Sequence, residues 1–340
     1  MRDTDELRAL RDFDAGEAPL DDATRYRVRA RLFQAMTEPA PAPVRPRRPV
    51  LRIALTGVLT TAVVAGVLVA VRHDDGSGGG TARKPVPATS APAMRNVSAQ
   101  TVLEGAAAYA RKNERAVTPR DDQFIYTKEI IKETEKKTGT TKTYVDENWR
   151  SVDGSQRSWT MEIGRGWWAE PLQEGEMIWP PQDWGTLRGL PTEPKALILA
   201  IHNRFGGGGP DKADSLDDLD DQAWSNVHFS LAGLLKLVPV MPEGLRPAAY
   251  EALGMVPGVK AVPNQRDAKG RVGVAITYDD PTLPEGMDGF GGFFIFDPET
   301  YEFLGFRDVR TSGDGKAMKT YTQLSYLDSW AVVDKVKQRP

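Results

Sequence analysis

The longest apolar stretch of the chain is IALTGVLTTAVVAGVLVAV, from Ile53 to Val71, and it contains no charged, amide, aromatic or proline side chain. A helix of this length spans roughly 28 Å, which is close to the thickness of a bilayer's hydrocarbon core. A buried helix of a soluble domain rarely has apolar residues on every face, and a secretory signal would lie within the first ~15–30 residues. The pattern therefore predicts a transmembrane helix over residues 50–72.

Basic residues indicate how this helix is oriented. They lie mostly before it, at Arg45, Arg47, Arg48 and Arg52. Arg72 follows on the other side, and Asp74 and Asp75 come next. An excess of Arg and Lys marks the cytoplasmic side of a membrane protein. We therefore expect a single-pass protein of the cell membrane, with a cytoplasmic N-terminus and an extracytoplasmic C-terminal domain.

The predicted span also carries small residues at a spacing of four, namely Ala62, Gly66 and Ala70. Small residues at this spacing allow two membrane helices to approach closely. The same spacing is frequent by chance in helices that are rich in Ala and Val. We therefore expect at most a weak homodimer through the membrane helix, which otherwise contacts membrane lipid.

The cytoplasmic tail, residues 1–49, shows two short amphipathic patterns. The first covers residues 5–13. The second runs from about Asp21 to Met36, and its apolar face consists of Val28, Leu32, Phe33 and Met36. The tail holds too little apolar material for an independent fold. Either the second helix docks on a cytoplasmic protein, or it rests on anionic lipid headgroups.

Residues 73–95 are rich in Gly, Pro, Ser and Ala, which is typical of a flexible tether. In the exterior domain, residues 96–340, the spacing of apolar residues alternates between that of helices and that of strands. Helical spacing covers 98–112, 191–205, 217–238 and 242–255, and strand-like alternation covers most of the remainder.

The sharpest local signal of the exterior domain is Phe293–Phe306, FFIFDPETYEFLGF. Asp297 and Pro298 suit the first two positions of a type I turn between two aromatic strands. Tight turns between the other strand patterns also favour antiparallel neighbours. The sequence therefore predicts an α+β fold, with an antiparallel sheet of about seven or eight strands covered by helices.

Composition limits the chemistry. The chain has no cysteine and only three histidines, so a thiolate zinc site and a cysteine nucleophile are excluded. The net charge of −3 gives no basis for nucleic acid as a partner. The acidic run between Asp211 and Asp221 lacks the ligand spacing of a calcium loop. We expect no enzyme activity, no cofactor and no metal site.

The tryptophans offer the one candidate binding feature of the exterior domain, which contains all eight of them. Trp167, Trp168, Trp179 and Trp184 fall in segments that the pattern predicts as loops. Two interpretations remain open. The rings are either ordinary core, or they form an apolar rim for a lipid-like or peptide ligand.

Several segments together resemble an actinobacterial family of single-pass proteins that are often encoded beside extracytoplasmic-function sigma factors. They are ELRALR at 6–11, the basic second helix of the tail, NWRSVDGS at 148–155, LPTEPKAL at 190–197, VPGV at 256–259 and FDPETY at 296–301. The exterior domain also resembles the half-barrel fold of lipoprotein carriers. This resemblance implies a curved antiparallel sheet that helices close over an apolar cavity.

These resemblances imply a membrane-anchored envelope sensor or interaction protein. Its exterior domain would bind an apolar ligand, such as a lipid or peptide, or an envelope component, and its tail would engage a cytoplasmic partner such as a sigma factor. The chain lacks the histidine–cysteine zinc motif of one large class of anti-sigma factors, and this absence argues against a role as an anti-sigma factor. The alternative is a tethered lipid or lipoprotein carrier with no signalling role. A third reading, an envelope hydrolase, has no motif behind it.

Overall fold

The computed structural model describes residues 51–53, 97–173, 177–205, 212–283, 292–313 and 318–340. The helices in this part of the chain are α1 (Ala99–Asn113), α2 (Trp184–Arg188), α3 (Pro194–Phe205), α4 (Asp221–Leu237) and α5 (Leu245–Met255), with a 3-10 turn at Leu216–Asp218. The strands are β1 (Leu51–Ile53), β2 (Phe124–Glu135), β3 (Thr141–Ser151), β4 (Ser158–Glu162), β5 (Arg165–Ala169), β6 (Met177–Trp179), β7 (Val259–Arg266), β8 (Val272–Tyr278), β9 (Phe293–Phe296), β10 (Phe303–Ser312) and β11 (Lys319–Val333).

Nine of these strands form one antiparallel sheet in the order β5-β4-β3-β2-β11-β10-β9-β8-β7. Strands β2 to β5 form an N-terminal meander, and strands β7 to β11 form a C-terminal one. The two meanders are joined at the centre of the sheet, where β2 pairs with β11. Helices α2 to α5 lie between the meanders in the sequence. β1 and β6 form a separate parallel pair. The predicted α+β class with an antiparallel sheet and a helical insertion is therefore confirmed, with nine strands instead of seven or eight.

The predicted hairpin at Phe293–Phe306 is confirmed in detail. The carboxylate of Asp297 accepts hydrogen bonds from the backbone N–H groups of Glu299 and Thr300, both at 2.9 Å. The N–H of Asp297 donates to the carbonyl oxygen of Glu302 at 2.8 Å, which closes the turn. Asp at the first position thus stabilises the turn by local side-chain bonding.

Strand β5 corrects the prediction that Trp167 and Trp168 lie in a loop. A two-residue turn at Ile163 and Gly164, with φ values of 51° and 73°, reverses the chain after β4. Asp146 stabilises this turn by accepting hydrogen bonds from both backbone N–H groups, at 2.6 and 2.7 Å. The sequence pattern did not predict this hairpin for two reasons. A β-branched residue such as Ile163 is unfavourable at positive φ, and the carboxylate that accepts from the turn belongs to another strand, β3.

The largest core cluster places the helices over one half of the sheet. Its fully buried residues come from the helices and from strands β8 to β10, and include Leu103, Leu197, Leu231, Leu253 and Phe296. Among the described residues, no buried member of this cluster comes from β2, β3, β4 or β5. The helices therefore pack tightly on the C-terminal meander and leave space above the N-terminal one.

The opposite face of the N-terminal meander is covered by the C-terminal strap, which we define as residues 334–340. The buried rings beneath it include Phe124, Tyr126 and Trp149. The indole N–H of Trp149 donates to the carbonyl oxygen of Gln338 at 2.5 Å. The ammonium of Lys337 lies 3.9 Å from the ring centroid of Trp159. The strap thus satisfies a buried indole and shields aromatic surface from water.

Deleting residues 335–340 should lower the free energy of unfolding by about 2–4 kcal/mol, because it removes the acceptor of a buried indole and exposes aromatic surface. Urea denaturation of the full chain would measure the loss. Arg339→Gln is the matched control, since this side chain is 68% exposed and its ion pair with Glu147 is worth little. An equal effect of both changes would contradict a packing role for the strap.

Several predicted features fall outside the described residues. These are residues 54–72 of the predicted transmembrane helix with Ala62, Gly66 and Ala70, the linker, and the tail face formed by Val28, Leu32, Phe33 and Met36. Leu51–Ile53, at the predicted start of the membrane helix, form strand β1 in the structure. Among the described residues, no helix has both the length and the apolar character needed to cross a bilayer.

Candidate functional site

A cavity of about 620 Å³ occupies the space above the N-terminal meander. Its floor consists of side chains from β2, β3, β4, β10 and β11, and its walls come from α1, the C-terminal end of α4, and α5. Successive residues of a strand point to opposite faces of the sheet. Alternate residues of β2 therefore line the cavity: Ile125, Thr127, Glu129 and Ile131.

Strand β3 contributes polar side chains to the same face. Asp146, Asn148 and Arg150 line the cavity at alternate positions. The pairing of β3 with β2 places Asp146 across from Glu129 and Arg150 across from Ile125. The cavity floor is therefore acidic toward one end and basic toward the other, with apolar side chains between and around these groups.

A buried ion pair joins the α4 wall to the sheet. The ammonium of Lys236 lies 2.6 Å from a carboxylate oxygen of Asp308. The two side chains are only 13% and 8% exposed. Buried charges require such compensation because leaving water is costly for each of them. The charge of Lys236 is therefore neutralised by Asp308, and the ion pair holds the end of α4 against β10.

Glu129 lies near this ion pair, and its pKa is higher than that of an ordinary glutamate. Burial raises its pKa, and the carboxylates of Asp146 and Asp308 add to the rise. A hydrogen bond with Ser325 and the charge of Lys236 oppose it. The folded protein therefore favours the protonated form of Glu129 more than the unfolded chain does.

Glu129→Gln should stabilise the protein at neutral pH but not in acid. Because the folded pKa is raised, the contribution of Glu129 to stability is complete below its ordinary value of 4.5 and is lost as the pH rises through the folded pKa. The difference in urea midpoint between variant and parent should therefore grow as the pH rises above 4.5, the ordinary pKa of the group. The exposed Glu299→Gln change serves as control. A difference that is independent of pH would contradict this assignment.

Asp146 has a structural role at the cavity wall. Its buried carboxylate holds the turn at Ile163 and Gly164, as described above, and Ile163 itself lines the cavity. Burial raises the pKa of Asp146, whereas the bonds from the two N–H groups lower it. The β4–β5 hairpin is thus fixed beside the cavity by a side chain from β3.

Arg150 differs from the other charged groups of the cavity. One guanidinium nitrogen donates to the carbonyl oxygen of Leu237 at 2.8 Å. No carboxylate of the described residues pairs with it. Arg150 is half-buried, and desolvation lowers the pKa of its guanidinium to about 10.

The four tryptophans do not form one rim. Trp184 is 5% exposed and packs in a core cluster with Ile125 and Val152. Trp167 and Trp168 are exposed at adjacent positions of β5, so they point to opposite faces of the sheet. The side chain of Trp179 is outside the described part of the structure.

Trp168 instead belongs to the face covered by the C-terminal strap, where it packs edge-to-face on Trp159 at 5.2 Å. The indole that lines the cavity is Trp330 of β11. The sequence analysis did not identify the cavity residues. The available signal was the alternation of β3, which has Asp146, Asn148 and Arg150 on one face and Val145 and Trp149 on the other. Such a polar face is usually expected to point to solvent, whereas here it points into the cavity.

The two histidines in the described part of the chain, His202 and His228, do not line the cavity. His228 is buried in α4 and stacks on the ring of Tyr278, with 3.9 Å between centroids. Burial lowers the pKa of His228 to about 3, although the charge of Asp280 opposes this, so the imidazole is neutral. Within the described ranges, no group of three or more His, Cys, Asp or Glu side chains could hold a metal ion.

Comparisons of this chain with protein-family models, with curated proteins and with solved structures give no match. The resemblance to the sigma-factor-associated family and to lipoprotein carriers therefore stays a prediction. A functional argument has to start from the cavity, its size and the chemistry of its lining.

Proposed function

We propose that the exterior domain binds an amphipathic small molecule, or the amphipathic part of an envelope component, in the cavity under the helices. The volume of about 620 Å³ carries this proposal, because ligand pockets commonly measure about 300–1,000 Å³. Apolar side chains such as Ile131, Phe306 and Trp330 offer surface to a hydrocarbon or aromatic moiety. Charged groups of the same lining would select and orient its polar end.

The lining favours an amphipathic ligand over a purely apolar one. A hydrocarbon that filled the whole cavity would remove water from Glu129, Arg150 and Lys236 without replacing its hydrogen bonds. Desolvating ionised groups in this way costs several kcal/mol each. A carrier that holds only acyl chains is therefore the weaker alternative, and a ligand with a polar group fits the lining better.

The role of the whole protein is that of a membrane-anchored envelope sensor or interaction protein. The support is the apolar 53–71 stretch and the amphipathic face of the tail. In this proposal the tail docks on a cytoplasmic partner such as a sigma factor. Changing Leu32 and Phe33 to Asp in the full chain should abolish co-purification with that partner. Co-purification that survives this double change would contradict docking through this face.

Ligand binding is tested with N-phenyl-1-naphthylamine, a neutral dye that fluoresces in apolar surroundings. Ala110 lines the cavity from α1, so Ala110→Trp places an indole inside it. This change should weaken dye binding by the full chain at least tenfold. Ala108→Trp is the matched control, because Ala108 lies on the exposed side of the same helix. It should leave the affinity within twofold.

The control also corrects for dye that partitions elsewhere, since any apolar segment outside the cavity is identical in both variants. Circular dichroism and a thermal melt would verify that both variants fold. Equal dye binding by the parent chain and both variants would overturn the proposed ligand cavity.

A further inference from the structure

Arg150 is a half-buried cation of the cavity and lacks an acidic partner among the described residues. Lys236 and Arg271 are paired with Asp308 and Asp267. Arg246 also meets no carboxylate among these residues, but it donates to two carbonyl oxygens, those of Val238 and Pro239, at 3.0 and 2.6 Å. Lys269 and Arg115 lie on the exposed side of the lining.

Arg150 also has unused donor capacity. A guanidinium carries five N–H donors, and the structure engages it with a single acceptor, the carbonyl oxygen of Leu237. An unpaired cation in an enclosed site lowers the stability of the fold. A ligand group that supplied negative charge and several acceptor atoms would remove this cost.

A second unsatisfied group lines the same cavity. The side chain of Gln182 is 8% exposed, and its amide nitrogen has no hydrogen-bond partner among the described residues. Arg150 and Gln182 therefore both offer unused N–H donors to the cavity.

We propose that Arg150 and Gln182, which both line the cavity with unused donors, bind a single oxyanion of an amphipathic ligand, such as a carboxylate or a sulfonate. The inference rests on the proposed ligand cavity and adds the chemical class of the ligand. A guanidinium matches such groups because its planar fork can donate two parallel hydrogen bonds. The apolar part of the ligand lies against Ile125, Val240 and Trp330, which line the same region.

The far side of the cavity explains why one negative charge is preferred over several. Asp146 lies four residues from Arg150 on the same face of β3, and Glu129 lies across from Asp146. These carboxyl groups would repel a second anionic group of the ligand. The site therefore discriminates against polyanions and selects a molecule with one charged end and one apolar end.

The test compares two dyes that differ by one sulfonate group. 1-Anilinonaphthalene-8-sulfonate has the ring system of N-phenyl-1-naphthylamine and carries one sulfonate. Arg150→Gln in the full chain should weaken binding of the sulfonate dye at least tenfold and leave the neutral dye within twofold. Lys112→Gln removes one positive charge from an exposed position of α1 that does not line the cavity, and it should change neither affinity more than twofold.

The outcomes separate the two proposals. If cavity-filling Ala110→Trp does not affect the neutral dye, the ligand cavity itself is wrong. If it does, but Arg150→Gln leaves the sulfonate dye unaffected, only the oxyanion site is overturned. A similar loss for Arg150→Gln and Lys112→Gln would indicate a general effect of charge and would also overturn it.

A measurement on the unaltered chain covers the case in which Arg150→Gln does not fold. Phenylglyoxal modifies arginine side chains, and peptide mass spectrometry would locate the modified positions. Saturating sulfonate dye should reduce modification of Arg150 at least fivefold and leave the exposed Arg188, which does not line the cavity, within twofold. Equal modification of Arg150 with and without the dye would overturn the proposal.

Discussion

Replacing Asp308 with alanine should lower the free energy of unfolding by about 3–5 kcal/mol, because the change leaves a buried ammonium without its counter-charge. Lys236 and Asp308 are 2.6 Å apart and almost completely buried between α4 and β10. The ring of Phe306 lies 5.9 Å from the ammonium and compensates only part of its charge. Urea denaturation at neutral pH would measure the loss.

Two controls separate this effect from the loss of an ordinary ion pair. Lys319→Gln breaks an exposed pair with Glu135 and should cost less than about 1 kcal/mol. The double change Lys236→Met with Asp308→Leu removes both charges and should restore most of the stability, because apolar residues of similar size replace the pair. A double variant as unstable as Asp308→Ala would contradict the charge argument and indicate a packing defect.

Gly305→Ala should cost about 3 kcal/mol or more, enough to prevent accumulation of folded protein in a marginally stable chain. Gly305 has a φ of +141°, which L side chains rarely adopt, and it lies where the pairing of β10 with β9 shifts register. An added Cβ would meet the carbonyl oxygen of Ser325 in the neighbouring strand β11. The expected result is a soluble yield or melting temperature far below that of the parent.

Gly139→Ala is the matched control for this prediction. Gly139 also has a positive φ, of +70°, but it lies in a turn where an added Cβ would meet no atom within 4 Å. Its substitution should therefore cost only the conformational term of about 1 kcal/mol. If both substitutions cost the same, the register shift relaxes around the methyl group and the close approach of the strands is not a constraint.

Local patterns predicted most elements of residues 96–340. The helical spacing over 191–205 corresponds to α3, and the carboxylate of Glu193 caps its first turn by accepting from the N–H groups of Lys195 and Ala196, at 3.1 and 2.7 Å. Thr192 is also a residue type that can cap a helix, so composition alone does not decide which of the two neighbours does so.

The candidate site was not predictable to the same extent. The sequence drew attention to tryptophans, whereas Trp184 is core and Trp167 and Trp168 point to opposite faces of β5. Arg150 and Gln182, which carry the inference about the ligand, are separated by a hairpin and β6 in the sequence. No periodicity relates them, because only the tertiary fold brings both residues into the lining of one cavity.

The sequence by itself determined the α+β class, the antiparallel meanders and the turn at Asp297, because each follows from local spacing and local hydrogen bonds. The tertiary structure alone decided that the helices pack on β8 to β10 and leave a cavity above β2 to β4. It also decided that the polar face of β3 points inward. The direction in which a strand's polar face points depends on what packs above the sheet, and that is a property of distant segments.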